Sequence, residues 1–238
     1  MASTAEGAGV ALAYEVTGSG TPVLLVHDIA SDRHGLPVVA GAHSIRYDRR
    51  GYGDSGAPEP YVGTTVMEQA EDAAALLHGL DAAPAVVVGD RLGALVALDL
   101  ARRHRDLVRG VVAIDPPLFA FVPDVAEVLS TERAALERGV REEGPEAAVR
   151  AYMAEAGADP EAAAHAAASF RGFFADYGAP STWAVGRRDL RALAVPLTVL
   201  DGPAPPPHVV AASDALAGAV PGARRGGTLP EALAALLG

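Results

Sequence analysis

The sequence predicts an α/β fold: a mostly parallel, doubly wound sheet with a helical cap insertion. Three observations predict it. Short apolar runs at 23–27, 44–47, 85–89, 111–115 and 197–201 read as strands, and the most continuous suit burial on both faces. Helical segments alternate with these runs, and that order implies right-handed crossovers and a parallel sheet. The rhythm breaks from Pro116 to about Arg191, where the sequence is rich in Ala, Glu and Arg and helical by composition. The expected organisation is therefore one core domain, 1–116 and 191–238, interrupted by a helical cap at 117–190.

Each element has its own signal. Gly9 to Gly18 alternates around Val10, Leu12, Tyr14 and Val16, which reads as an edge strand or hairpin arm. Ser19-Gly20-Thr21-Pro22 is a turn, and Val23-Leu24-Leu25-Val26 then forms a buried strand ending in His27-Asp28-Ile29. Ser44 to Tyr47 runs into Asp48-Arg49-Arg50-Gly51-Tyr52-Gly53-Asp54-Ser55-Gly56. Thr64 to Leu80 has helical spacing, with Thr64 or Thr65 as cap and Glu68 nearby. Val86-Val87-Val88-Gly89 ends in a tight turn, Asp90-Arg91, and a helix follows from Leu92 to His104. The strand Val111 to Asp115 stops at Pro116-Pro117. In the cap, Gly144-Pro145, Asp159-Pro160 and Ala179-Pro180 divide three or four helices. A strand at Val195 to Asp201, a helix near Val209 to Ala219, a ragged piece from Ala223 to Thr228 and a helix from Pro230 complete the chain.

Composition excludes several chemistries. There is no Cys, so thiolate catalysis and disulfides are absent, and no Lys, so no lysine Schiff base can form. The seven histidines, His27, His34, His43, His78, His104, His165 and His208, show no close ligand spacing, so no metal site is expected. No cofactor is expected. A net charge of −11 repels nucleic acid and anionic lipid, so neither is an expected partner. No run is long enough to span a membrane, and the N-terminus lacks the pattern of a signal peptide, so the expected location is the cytoplasm.

Residues 9 to 117 resemble the α/β-hydrolase superfamily, and 195 to 238 resemble it more weakly. Three segments carry the likeness: the strand ending in His27-Asp28, the Tyr47 to Ser55 stretch, and Gly89-Asp90-Arg91-Leu92-Gly93, which has the outline of a nucleophile elbow. The resemblance implies an active site beneath the cap, at the carboxyl ends of the strands. It places the nucleophile at Arg91, where a guanidinium cannot attack a carbonyl. It places the acid in Gly202 to Pro207, which holds no carboxylate, and the base after the last strand, yet no His follows His208. The triad positions are thus empty. Two backbone donors of the oxyanion hole remain, on Leu92 and Ile29.

A site with donors and no nucleophile suits enolate chemistry, elimination or cyclisation. In lacking the triad the chain is similar to non-hydrolytic members of the fold, including a peptide epimerase of the bottromycin type. The expected function is an epimerase, isomerase or cyclase acting on a peptide or small natural-product intermediate. The alternatives are a non-catalytic ligand- or peptide-binding protein and a hydrolase with a displaced nucleophile such as Ser31. Candidate substrate-binding residues are Asp28, Arg91, Asp115, Phe119, Phe121, Phe173, Trp183 and His208. Arg91 requires a carboxylate partner from Asp28, Asp90, Asp115 or the substrate. Asp28, Asp115, His208 or a carboxylate of the substrate can serve as base.

Overall fold

The computed structural model describes residues 3–238. Its strands are β1 (Ser3–Glu6), β2 (Ala11–Thr17), β3 (Pro22–Val26), β4 (His43–Tyr47), β5 (Ala85–Asp90), β6 (Val108–Ile114), β7 (Leu197–Leu200) and β8 (Arg224–Arg225). They form one sheet in the order β1-β2-β4-β3-β5-β6-β7-β8. The β1–β2 and β2–β4 pairs are antiparallel, and every other pair is parallel. The five strand runs expected of the parallel sheet are all present.

Alternate side chains of each central strand enter different layers, because strand periodicity is two. Leu24, Val87, Val111 and Val199 pack with α1 (Val66–Gly79), α2 (Leu92–Arg103) and α9 (Pro207–Ala219). Val23, Leu25, Val86, Val88 and Val112 pack with Leu233 and Leu236 of α10 (Leu229–Leu237). Helix α1 starts at the expected cap: Thr65 accepts from the Glu68 N–H, and the Glu68 carboxylate accepts from the Thr65 N–H.

Between β6 and β7 the chain is helical. It contributes α3 (Ala126–Glu143), α4 (Pro145–Glu155), α5 (Pro160–Ala168), α6 (Phe170–Tyr177) and two short helices, α7 (Ala179–Thr182) and α8 (Arg187–Arg191). The breaks read at Pro145 and Pro160 are helix starts, as suits a residue without an N–H. Leu136, Ala148, Val149, Ala166 and Phe173 form a separate apolar core that also holds Ala30 of the β3–β4 loop. No helix of the described residues is long and apolar enough to cross a membrane.

A buried polar network fastens this cap to the sheet. Asp176 of α6 is fully buried and accepts from Arg49 at 2.8 Å, the Tyr52 hydroxyl at 2.9 Å and Gln69 Nε2 at 2.7 Å. Arg49 also donates to Gln69 and, through Nε, to the His27 carbonyl at 3.0 Å. A Cβ on Gly172 would press on the Gly51 carbonyl at 2.7 Å, so α6 lies directly on the loop after β4. Removing one partner of such a pair leaves a buried charge uncompensated. Asp176→Ala is expected to lower stability by about 3–5 kcal/mol in urea unfolding. Arg133→Ala, which breaks an exposed pair with Glu137, should leave the midpoint unchanged.

Candidate active site

The turn between β5 and α2 has the elbow geometry read from the sequence. Arg91 sits at φ 45° and ψ −106°, a left-handed conformation that is costly for a residue with a side chain. Both flanking glycines are required by packing. A Cβ on Gly89 would collide with the Gly93 carbonyl, and one on Gly93 with the Val26 carbonyl. Helix α2 therefore begins directly against β3, and the Arg91 side chain is lifted away from the sheet with half of it exposed.

The oxyanion-hole donor on Leu92 is occupied. The Asp28 carboxylate accepts the Leu92 N–H at 3.1 Å. Arg91 Nη1 lies 3.5 Å from its other oxygen. An internal carboxylate thus fills the place expected for a substrate oxyanion, at the positive end of α2. Burial raises the Asp28 carboxyl above its usual range, against the charge of Arg91 and the Leu92 N–H bond. Asp90 is pushed up to about 7, by burial first and then by Asp28, with Arg91 opposing and Asp115 adding to the rise. Of the partners considered for Arg91, Asp28 is the one in contact.

The other candidates divide into neighbours and structural groups. Asp115, at φ 46°, is buried and accepts the Gly202 N–H at 3.0 Å, which ties the loop after β6 to the loop after β7. Phe119 lies in a 3-10 turn and meets the His208 ring at 5.4 Å, at the start of α9. Phe121, in the same turn, lies beneath the Arg187 guanidinium at 5.2 Å. All three rings are half-buried. Phe173 and Trp183 are corrected. Phe173 is 0% exposed in the cap core, and Trp183 is buried with its indole N–H donated to Asp99 at 2.9 Å. Both are packing groups, because helix α6 and the Asp99 contact turn them away from solvent.

The expected pocket takes in Ile29, Leu92, Phe119, Phe121 and some of Phe170, Phe173, Phe174 and Trp183. A cavity of about 500 Å³ lies between α3 and α6, lined by Leu136, Val140, Phe174 and Tyr177 among others, and Phe174 is the residue it shares with that expectation. Ile29 packs against the cap core. His27 is structural: its Nε2 accepts the Arg49 N–H at 2.9 Å, so Nδ1 carries the proton and donates to the Asp28 carbonyl at 2.7 Å. Burial, aided by Arg49, holds its pKa well below the usual value and keeps it neutral. At the end of β7 Asp201 is paired with Arg225 at 2.7 and 2.8 Å, and Arg225 also bonds Asp214.

The Asp90 shift has a measurable consequence. Below the ordinary carboxylate value of 3.8 the group is protonated in both folded and unfolded chains, and no cost arises. Between 3.8 and about 7 the unfolded chain releases its proton first, so this group's cost to stability grows as pH rises, then stays constant above about 7. Asp90→Asn is expected to raise the melting temperature by several degrees above neutral pH. The gain should vanish near the ordinary carboxylate value, as thermal unfolding across pH will check.

Known proteins supply an independent comparison. The family model described as "alpha/beta hydrolase fold" matches residues 21–154. The chain is 34% identical over 115 residues to an uncharacterized hydrolase of Bacillus subtilis (strain 168), covering 46% of this chain and 42% of that protein. It is 34% identical over 143 residues to 2-(acetamidomethylene)succinate hydrolase of Mesorhizobium japonicum, covering 58% and 49%. The chain thus spans less than half the length of these curated relatives. Its structure aligns with an alpha/beta hydrolase from Sphaerobacter thermophilus at a TM-score of 0.71 and 26% identity, over 99% of this chain and 98% of that one. The match takes in the His27 strand, the Tyr47 to Ser55 stretch and the elbow, the three segments on which the geometry turns. The chain belongs to the α/β hydrolase fold family.

Proposed function

We propose that this chain is a non-hydrolytic enzyme that moves a proton at a carbon beside a carbonyl, as an epimerase or isomerase of a peptide or small natural-product intermediate. The observation that carries this reading is the Asp28 carboxylate, seated on the Leu92 N–H at 3.1 Å beside Arg91. Hydrolysis through an acyl-enzyme needs a nucleophile at the elbow and empty donors for the oxyanion. Here the elbow holds a guanidinium and the Leu92 donor holds Asp28. No hydrogen bond joins Ser31 to a histidine among the described residues, so the displaced-nucleophile reading lacks a base. What remains is a carboxylate whose basicity burial increases, next to a fixed cation.

In this reading the Asp28 carboxylate takes the proton from the substrate carbon. The electron pair of the broken C–H bond moves onto the adjacent carbonyl oxygen, and Arg91 balances the charge that develops there. Delivery of a solvent proton to the opposite face of the carbon, with protonated Asp28 releasing its proton to solvent, completes an epimerisation. Neither a covalent intermediate nor a cofactor enters. The names of the relatives point to hydrolysis in those proteins. Arg91 and Asp28 are the reasons for setting this chain apart from it.

The test is isotope exchange. The protein is incubated in D2O with a library of synthetic peptides, and the expected result is uptake of one deuterium at carbon in particular members. Asp28→Asn should slow that uptake by roughly 100-fold or more, the usual scale of a general base. A fluorophosphonate probe should leave the protein unlabelled. Stoichiometric labelling of a serine would overturn the proposal. A ligand-binding role without chemistry is the second reading, favoured by the cap cavity lying among residues other than Asp28 and Arg91. Saturable peptide binding without any deuterium uptake would support it instead.

A further inference from the structure

We infer that Tyr52 is the positioning residue that seats Asp28 on the Leu92 N–H, by holding a strained stretch of backbone just after it. The inference deepens the reading above and rests on it for the role of Asp28 as base. It starts at Ala30, two residues beyond Asp28. Ala30 stands at φ 61°, in the left-handed region that a residue with a Cβ rarely adopts. Such a conformation persists where the surroundings over-determine it. Ala30 is also buried, so its N–H needs an acceptor inside the protein. Among the described residues that acceptor is the Tyr52 hydroxyl, at 3.4 Å.

The hydroxyl is itself fixed from the cap. It donates to Asp176 of α6 at 2.9 Å. Burial holds its pKa well above the ordinary tyrosine value, so it keeps the proton that it donates. The ring meets His27 edge-on at 5.3 Å, and the Arg49 guanidinium lies over it at 5.0 Å. A Cβ on Gly172 would stand 3.1 Å from Tyr52 Cζ, so α6 covers the phenol end of the ring. Four neighbours thus set where the hydroxyl can stand.

The backbone around Asp28 is therefore held on both sides. Before it, Arg49 Nε donates to the His27 carbonyl at 3.0 Å, and His27 Nδ1 donates to the Asp28 carbonyl at 2.7 Å. After it, Tyr52 holds Ala30. Between these anchors the Asp28 carboxylate reaches the Leu92 N–H at 3.1 Å. No hydrogen bond joins Tyr52 to that carboxylate or to the elbow among the described residues, so Tyr52 acts through the chain. Without its hydroxyl, Ala30 loses the bond that offsets its strain and relaxes to negative φ. Asp28 then turns off the Leu92 N–H.

The test reads the Leu92 amide proton by NMR at neutral pH and needs no substrate. Asp28→Ala supplies the position of that proton without a carboxylate partner, and the wild-type proton should lie downfield of it. Tyr52→Phe keeps the ring and should move the signal most of the way to the Asp28→Ala position. Glycine adopts left-handed φ freely. Adding Ala30→Gly to Tyr52→Phe should therefore return the signal to its wild-type place, a rescue that a general loss of stability would not show. Trp183, the one tryptophan of the chain, reports a separate attachment of the cap through its indole N–H on Asp99. That signal should stay fixed in every variant. A Leu92 signal unmoved by Tyr52→Phe, or not restored by Ala30→Gly, would overturn the inference. So would a shifted Trp183 signal in Tyr52→Phe, since the hydroxyl would then hold the cap as a whole. An absence of isotope exchange with the expected NMR pattern would sink the epimerase reading alone. Isotope exchange with an unmoved Leu92 signal would sink this inference alone.

Discussion

The close approach of α2 to β3 is the constraint on which the site depends. Gly89 and Gly93 allow the helix to start where no Cβ fits, and the chain between them must turn through a left-handed residue. That turn aims whatever side chain stands at position 91 out of the sheet. It also points the first N–H groups of α2 toward the loop after β3, where Asp28 meets them. In the α/β hydrolase fold this geometry serves a nucleophile. Here the same backbone strain presents a cation, and the first free helix donor is satisfied by a carboxylate from the neighbouring loop.

The cap is placed by a different interaction. Arg49, Tyr52 and Gln69 all converge on Asp176, in a setting with no exposed member. Each donor comes from the sheet side and the acceptor from the cap, so the network sets where α6 lies. Desolvation makes such a group costly when any partner is lost, and one nitrogen of the network, Arg49 Nη2, is already buried without a hydrogen-bond partner. Arg49 further bonds the His27 carbonyl, and His27 bonds the Asp28 carbonyl. The polar chain that fixes the cap therefore ends at the backbone of the residue that fills the donors of the elbow.

Electrostatics distinguish this site from one that stabilises an anion through the backbone alone. Three carboxylates, Asp28, Asp90 and Asp115, act around one guanidinium, and burial drives the first two toward protonation. Arg91 keeps Asp28 from rising further, and the Leu92 N–H bond does the same. A carboxylate in that balance is a better base than one in water. The guanidinium itself stays half-exposed.

Much of the fold was legible because it rests on local signals. Strand periodicity, the capping residues at Thr65 and Glu68, and the prolines at 145 and 160 specify elements without reference to distant residues. The two-residue strand β8 showed only as a ragged piece, and β1 was missed, since an exposed four-residue edge strand carries little apolar pattern. The elbow was legible as two glycines around Arg91, and Asp28 was legible as a possible partner. The sequence could not indicate that Asp28 occupies the Leu92 donor, that Phe173 and Trp183 face inward, or that Asp176 reaches toward the sheet from the cap. Those facts join residues more than sixty positions apart, and no periodicity encodes such a distance. By itself the sequence determined the architecture and that an arginine stands at the elbow, because both follow from residue type and spacing. Only the tertiary structure decided which donors are spent and which stay free, because hydrogen bonding is settled by where folded groups meet.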